Sequence, residues 1–227
     1  MPLEIELKYA LSKTQYTHLL AYLRTWIVRR QHIENFYIDD SKLTLRRSRI
    51  GLRLRRVDKT KYFLTLKFDP KNPPHRRTRG LSVRHEIEET MNGPLARRFL
   101  SDFSGRALPR RFVRWLLRLC PSLDLKELGI LGKLSLFRVI HELPAVGIIE
   151  LDKGSLGGEN FYELEIETSK PHETQRRLHL LLKKLGMKPR PSQKSKLARF
   201  LEKQSEVAGN RIRCENRRSK PSPRIKI

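Results

Sequence analysis

The stretch EIELK, Glu4–Lys8, places two carboxylates and an ammonium at alternate positions, with isoleucine and leucine between them. On a strand, side chains at i, i+2 and i+4 share a face. Glu4, Glu6 and Lys8 therefore point one way, and Ile5 and Leu7 the other. The same period of two recurs in IENFYID (33–39), GLRLRRV (51–57), KYFLTLKF (61–68), LSVRHEIEE (81–89), GKLSLFRVIHE (132–142), VGIIELDKG (146–154) and NFYELEIET (160–168). Eight strands on short connections predict a closed antiparallel barrel in preference to an open sheet.

Six of these strands carry one charged face and one largely apolar face. Arg53 and Arg55 oppose Leu52 and Leu54, and Thr65 and Lys67 oppose Leu64, Leu66 and Phe68. Arg84, Glu86 and Glu88 oppose Ile87; Glu150 and Asp152 oppose Ile149 and Leu151; Glu163, Glu165 and Glu167 oppose Leu164 and Ile166. A single strand of this kind reads as an ordinary sheet with one solvated face. The set reads differently. These faces are dense in Glu and Arg, whereas solvated faces usually mix Thr, Ser, Gln and Lys. Amphipathic helices elsewhere in the chain also need an apolar surface to cover. Apolar faces outward under helices and charged faces inward give an α+β fold, an eight-stranded antiparallel barrel with a polar lumen and flanking helices.

The helical patterns lie between the strands. Ser12 or Thr14 can cap a helix bearing Tyr16, Leu19, Leu20 and Leu23. Pro94 to about Cys120 carries apolar stripes broken at Gly105 and Pro109, and His172–Leu185 ends at Gly186 in the C′ role. Ser192 can cap a last helix running to about Gln204. Residues 69–80 read as a loop, and 208–227 as a disordered basic tail without apolar periodicity.

The 227 residues suffice for one sizeable core plus tails. A formal net charge of +25 makes the chain attractive to polyanions such as nucleic acid, polyphosphate or nucleotides. No segment approaches the roughly 18 consecutive apolar residues of a membrane span. The charged start has no apolar signal region, so a cytoplasmic protein is expected. Cys120 and Cys214 have no metal-like spacing, and no disulfide framework is expected.

A lumen lined by Arg and Lys needs counter-charge. Its carboxylates supply part, and clustered carboxylates call in turn for a hard divalent cation with oxygen ligands. Arg forks suit phosphate. The residues thus point to a divalent metal and a polyphosphate together, with no Walker-type glycine loop as another phosphate site.

At this point the motifs resemble those of the CYTH superfamily, the triphosphate tunnel metalloenzymes. EIELK resembles the family's ExExK signature, and YIDDSKLTLRRSRIGLRLRR its Tyr-x-Asp segment and LRxR strand. LTLK resembles its TxK strand, VRHEIE its RxExE strand, ELDKG with YELEIE its acidic return strands, and QKSK its C-terminal Ser-Lys segment. The resemblance spans about residues 3–200 and implies a tunnel domain over 1–205, with 206–227 as the tail. It implies binding of triphosphate compounds with Mg²⁺ or Mn²⁺. Carried over by position, Glu4, Glu6, Glu163, Glu165 and Asp152 become metal ligands, with Glu150 equally suited to Asp152's place. Lys8, Arg53, Arg55, Lys67, Arg84, Arg138 and Lys196 become phosphate binders. Glu4, Glu6, Lys8 and Lys67 form the catalytic set, and Glu86 and Glu88 are further lumen acids.

The implied activity is hydrolysis of a triphosphate, inorganic triphosphate foremost. Thiamine triphosphatases and class IV adenylate cyclases belong to the same family. The contrasting reading is a non-catalytic tunnel that binds polyphosphate or RNA; retention of four metal-ligand glutamates favours catalysis. The surplus basic surface leaves RNA or polyphosphate as a further partner.

Two positions depart from the pattern. Asp40 replaces the usual Thr after Tyr-x-Asp, which reads as a change at a loop edge. Strict alternation also puts Leu134, Leu136 and Ile140 on the face of Arg138. Either a bulge shifts the register there or Arg138 is wrongly assigned. Glu167 reads as structural near the mouth. His85 and His141 read as outward or core-edge residues, and Trp26 and Trp115 as packing groups. Arg97, Arg98, Arg110, Arg111, Arg114 and Arg118 read as a solvated helix face, and Arg46, Arg47 and Arg49 as solvated or mouth residues.

Overall fold

The computed structural model describes residues 3–71, 79–103, 107–192 and 194–204. Most of the expected 69–80 loop, the break at Gly105 and the basic tail lie outside them. Eight strands close into one antiparallel barrel: β1 (Leu3–Leu11), β2 (Ile27–Asp39), β3 (Ile50–Val57), β4 (Lys61–Phe68), β5 (Leu81–Met91), β6 (Gly129–Leu143), β7 (Gly147–Leu156) and β8 (Glu159–Glu167). Their order around the wall is β1-β5-β4-β3-β2-β6-β7-β8, with β8 returning to β1. β2 and β6 outrun the alternating segments, because exposed Arg29 and Arg30 and half-buried Gln31 pair with Ile140, Val139 and Arg138 in turn without alternating in hydrophobicity.

Register decides which residues meet, since directly opposed residues share a face. Glu4 opposes Arg84, Lys8 opposes Glu165, Arg53 opposes Thr65, Lys67 opposes Glu86, and Asp152 opposes both Arg138 and Glu163. All of these face inward. The outward apolar residues form two cores. Leu52, Leu54, Leu64, Leu66 and Ile87 pack under α3 (Gly93–Ser101) and α4 (Arg110–Leu119), which contribute Phe99, Phe112 and Leu116. Leu7, Tyr9, Leu151, Leu164 and Ile166 pack under α1 (Lys13–Tyr22) and α5 (Pro171–Lys184).

Ser12, not Thr14, caps α1: it accepts from Gln15 N at 3.2 Å, while the Gln15 side chain accepts from Ser12 N at 2.9 Å. α5 ends before Gly186, whose φ of +68° suits glycine. The last helix, α6 (residues 196–204), is capped by Ser195, whose hydroxyl accepts from Ala198 N at 3.1 Å. The expected cap, Ser192, instead donates its backbone N–H to the Lys8 carbonyl at 2.9 Å, which holds this segment against β1. Among the described residues no helix is long and apolar enough to cross a membrane.

No bulge separates Arg138 from Leu134 and Leu136. β6 pairs with β7 without a shift from Leu136 to Leu143, so Leu134 and Leu136 do face inward together with Arg138. They are tolerated because the lumen is not uniformly polar. Leu136 packs with Ile33 and Val57, and Leu134 with Tyr37 and with Phe200 and Leu201 of α6. Gly154 makes room for this layer: a Cβ there would lie 2.5 Å from the Phe161 ring.

Asp40 also proves to be more than a loop-edge change. Buried Asp39 accepts three backbone N–H groups, from Asp40, Leu45 and Arg46, each at 2.9 Å. Asp40, also buried, accepts from Thr44 N at 2.8 Å. Together the two carboxylates brace the one-turn helix α2 (Thr44–Arg47) between β2 and β3. Asp39→Ala leaves those donors unpaired and is expected to lower unfolding free energy by about 2–4 kcal/mol. Denaturant titration checks this; a loss under about 0.5 kcal/mol would remove Asp39 from this role.

Candidate active site

The inward faces enclose a cavity of about 330 Å³. Its wall brings together all seven expected phosphate binders: Lys8, Arg53, Arg55, Lys67, Arg84, Arg138 and Lys196. Of the expected acids, Glu4, Glu6, Glu86, Glu88, Glu150 and Glu165 line it, whereas Asp152 and Glu163 lie fully buried behind.

Arg138 is the hub of the acidic side. It donates to Asp152 through Nε and Nη2, both at 2.7 Å, and to Glu165 through Nη2 at 2.8 Å; its Nη1 pairs with Glu150. Lys196, on the first turn of α6, reaches Asp152 at 2.9 Å, Glu163 at 3.0 Å and also Glu165. Ligand oxygens of Asp152, Glu163 and Glu165 lie within 4.8 Å of one another, and the Lys196 ammonium meets all three. Burial raises the proton affinity of Asp152, but Lys196 and Arg138 hold it below its ordinary value; Lys196, Lys8 and Arg138 do the same for Glu165. Burial opposes the charge on Lys196 and Arg138, and the carboxylates outweigh it, holding both protonated. Glu150 and Asp152 share Arg138, so both positions contribute to the cluster.

On β1 the pattern is split. Lys67 Nζ lies 2.6 Å from both oxygens of Glu4, and despite burial the Lys67 charge holds Glu4 below its usual range. Lys8 bridges Glu6 at 2.8 Å and Glu165 at 3.2 Å. That single ammonium does not balance Glu6, which burial and the nearby Glu165 charge push up to about 7. Burial also raises Glu150 and Glu167, the latter helped by Glu4 and Glu86.

The opposite wall has the inverse imbalance. Arg53 is 3.9 Å from Glu86. Arg55 donates to the Asn35 side-chain oxygen at 3.0 Å and has no ion-pair partner among the described residues. Burial and the nearby Arg53 and Arg138 push Arg55 down to about 10. One side of the cavity therefore holds under-compensated carboxylates and the other under-compensated guanidiniums. A hard divalent cation with a polyanion satisfies both, and the all-oxygen donor set fits such a cation.

Three participants escaped the sequence reading. Glu167 lines the cavity instead of serving only the fold. Tyr37 lines it as well, from the motif that also supplies Asp39. Arg199 pairs with Glu163 at 2.8 Å; its spacing of three from Lys196 on one helix face was the available signal. The other residues read as structural or packing groups stay outside the lumen. His85 packs on Phe68, His141 is buried in the wall, Trp115 stacks on Phe68, and Trp26 leans on Tyr22. Arg97, Arg98, Arg110, Arg111, Arg114 and Arg118 are exposed or half-buried on the outer helices, away from the cavity.

Comparison with known proteins agrees with this geometry. The CYTH domain model matches residues 2–201. No curated protein sequence matches the chain. Among solved structures, a putative adenylyl cyclase from Hippeastrum, described as having a dominant triphosphatase activity, is 27% identical with a TM-score of 0.79; the match covers 88% of this chain and 95% of that one. A putative adenylate cyclase from Bacillus halodurans is 25% identical with a TM-score of 0.70, covering 88% and 99%. A protein of Pyrococcus horikoshii, at 22% identity and a TM-score of 0.54, shares the fold over 88% and 99%. With the family model spanning residues 2–201, and so all eight strands of the closed barrel, this chain belongs to the CYTH domain family.

Proposed function

We propose that this protein is a metal-dependent hydrolase of triphosphate compounds, with inorganic triphosphate as its substrate. The observation that carries the reading is the paired imbalance of the cavity: Arg53 and Arg55 short of anions, and Glu6 and Glu167 short of cations. Among the described residues the cavity wall includes one aromatic ring, Tyr37, and so offers little for stacking a purine or a thiazolium. That favours a substrate made of phosphate alone over ATP or thiamine triphosphate.

Glu4 and Glu6 on β1, with Glu163 and Glu165 on the neighbouring strand β8 and Asp152 on β7, would hold Mg²⁺ or Mn²⁺. When bound, such a cation neutralises phosphoryl charge and orients a water for in-line attack. The chain's own residues do the rest. Arg53, Arg55, Lys67 and Arg84 grip the phosphate oxygens from β3, β4 and β5. Arg138 and Lys196 fix the acidic wall, so that its carboxylates keep their positions as substrate enters. Lys8 and Lys67 each contact a carboxylate of β1 and can turn to charge developing on the transferred and leaving groups.

The direct test is release of phosphate and pyrophosphate from inorganic triphosphate, ATP and thiamine triphosphate, with Mg²⁺, Mn²⁺ or EDTA, with cyclic AMP followed in the ATP reaction. Metal-dependent turnover of inorganic triphosphate well above the other two is expected; dominant cyclic AMP formation would replace hydrolase with cyclase. Glu4→Gln and Glu6→Gln should each cut kcat by about 100-fold or more with the fold retained, and Arg53→Ala or Lys67→Ala should lower kcat/KM by about tenfold or more. Wild-type kinetics in both carboxylate variants would sink the site assignment.

Glu6 also sets a pH dependence. Its ordinary value is 4.5 and its folded value about 7. Its raised affinity stabilises the protonated fold below 4.5, and that contribution is lost as pH rises through about 7. A divalent cation competes with the same proton. Mg²⁺ or Mn²⁺ should therefore raise the melting temperature more at pH 8 than at pH 6, and Glu6→Gln should flatten that difference. An equal cation shift at both pH values in the parent protein would contradict the role of Glu6.

A further inference from the structure

Outside the cavity lies a second, larger depression of about 990 Å³, joined to it through Lys8, Arg84, Gly51, Ser82, Ser195 and Leu197. Among the described residues its wall carries seven basic side chains against two acidic ones. The acids are already engaged: Asp69 with Arg84 at 2.9 Å and Arg49 at 3.4 Å, and Glu202 with Lys194 at 2.9 Å. Neither Arg46 nor Arg47 has an ion-pair partner among the described residues; Arg47 reaches only the Thr44 hydroxyl, at 3.5 Å.

These arginines sit on a built element, not a loose loop. Asp39 and Asp40 brace α2 through three of its backbone N–H groups, those of Thr44, Leu45 and Arg46. Leu43 and Arg49 take left-handed conformations, with φ of +55° and +58°, that side chains other than glycine rarely adopt. Arg84 Nη2 donates to the Arg49 carbonyl at 2.7 Å and so ties this turn to the phosphate wall of the tunnel. Two buried carboxylates and two strained residues hold Arg46, Arg47 and Arg49 at the mouth. The tunnel chemistry proposed above uses none of the three.

We infer that this collar binds the part of a linear polyphosphate that extends beyond the three phosphates held in the tunnel; the inference rests on the tunnel reading. Guanidiniums in a row suit a chain of phosphates. Among the described residues the collar lining has no aromatic side chain on which a nucleotide base could stack, which favours a base-free chain over a 5′-triphosphorylated RNA. The ligand class is therefore a chain longer than triphosphate, entering end first.

Calorimetric titration of the full chain tests this, with inorganic triphosphate and with a linear polyphosphate of some tens of phosphates, each in Mg²⁺ and in EDTA. Per chain end, the long polyphosphate is expected to bind about tenfold or more tightly than triphosphate at low salt, an advantage that shrinks as salt is raised. In Arg46→Gln/Arg47→Gln/Arg49→Asn that advantage should collapse toward one; asparagine tolerates the left-handed conformation at 49. The single variant Arg47→Gln, at an exposed position, should lose part of it and guards against a misfolded triple variant, which circular dichroism would reveal. Equal affinity for the two ligands in the parent protein overturns the collar and leaves the tunnel reading standing. An undiminished advantage in the folded triple variant overturns it too, as does tighter binding of a 5′-triphosphorylated RNA than of a polyphosphate of similar charge. Failure of triphosphate itself to bind overturns both readings.

Discussion

Everything inside this barrel depends on the contact between the Arg138 guanidinium and the Asp152 carboxylate. Both are buried, and their bidentate geometry leaves Arg138 free to reach Glu150 and Glu165 as well. A buried ion pair of this kind contributes little net stability, because desolvation offsets the attraction. Removing one partner is another matter, since it strands a charge in a medium that cannot solvate it. The arrangement is best understood as a scaffold for charge. It lets a protein core hold carboxylates at high density in one place.

The same physics explains why Lys196 comes from a separate element. Asp152, Glu163 and Glu165 lie close enough to share a cation. Three buried carboxylates without one would drive protons onto each other. α6 delivers Lys196 and Arg199 from one helix face, while Phe200 and Leu201 anchor it on inward-facing Tyr37 and Leu134. Apolar packing on one side of the lumen thus positions the counter-charges on the other. The inward leucines of β6, awkward for a purely polar tunnel, are what seat this helix.

Charge balance then grades across the cavity. It is complete around Asp152 and incomplete at Glu6 and Arg55, which are the groups facing the open space. The gradient continues outward into a mouth where arginines outnumber their partners. A polyanion moving inward meets first a diffuse positive field, then specific guanidinium forks, then carboxylates suited to a divalent cation. The large positive net charge of the chain is in this sense directional at the tunnel as well as general on the surface.

Much of this was legible in the residues. Period-two alternation fixes a face for each side chain whatever the strand's neighbours, so the inward set from Glu4 to Glu165 and the closed barrel follow from local stereochemistry. The motif order singles out seven basic residues, all of which line one cavity. What alternation cannot supply is register and partner. The seating of Leu134 and Leu136 depends on which residues oppose them, and the cap of α6 on where Ser192 is drawn by β1. Glu167 looked structural because strand position alone does not reveal how far a lumen extends. Asp40 looked like a loop-edge change because its partner, the Thr44 N–H, is a backbone group invisible to pattern. The pKa of Glu6 depends on distances to Glu165 and Lys8, carried on strands that are remote in sequence. Alternation along the chain sets the face that each charge takes; which charges are satisfied rests on distances between strands, and those exist once the barrel has closed.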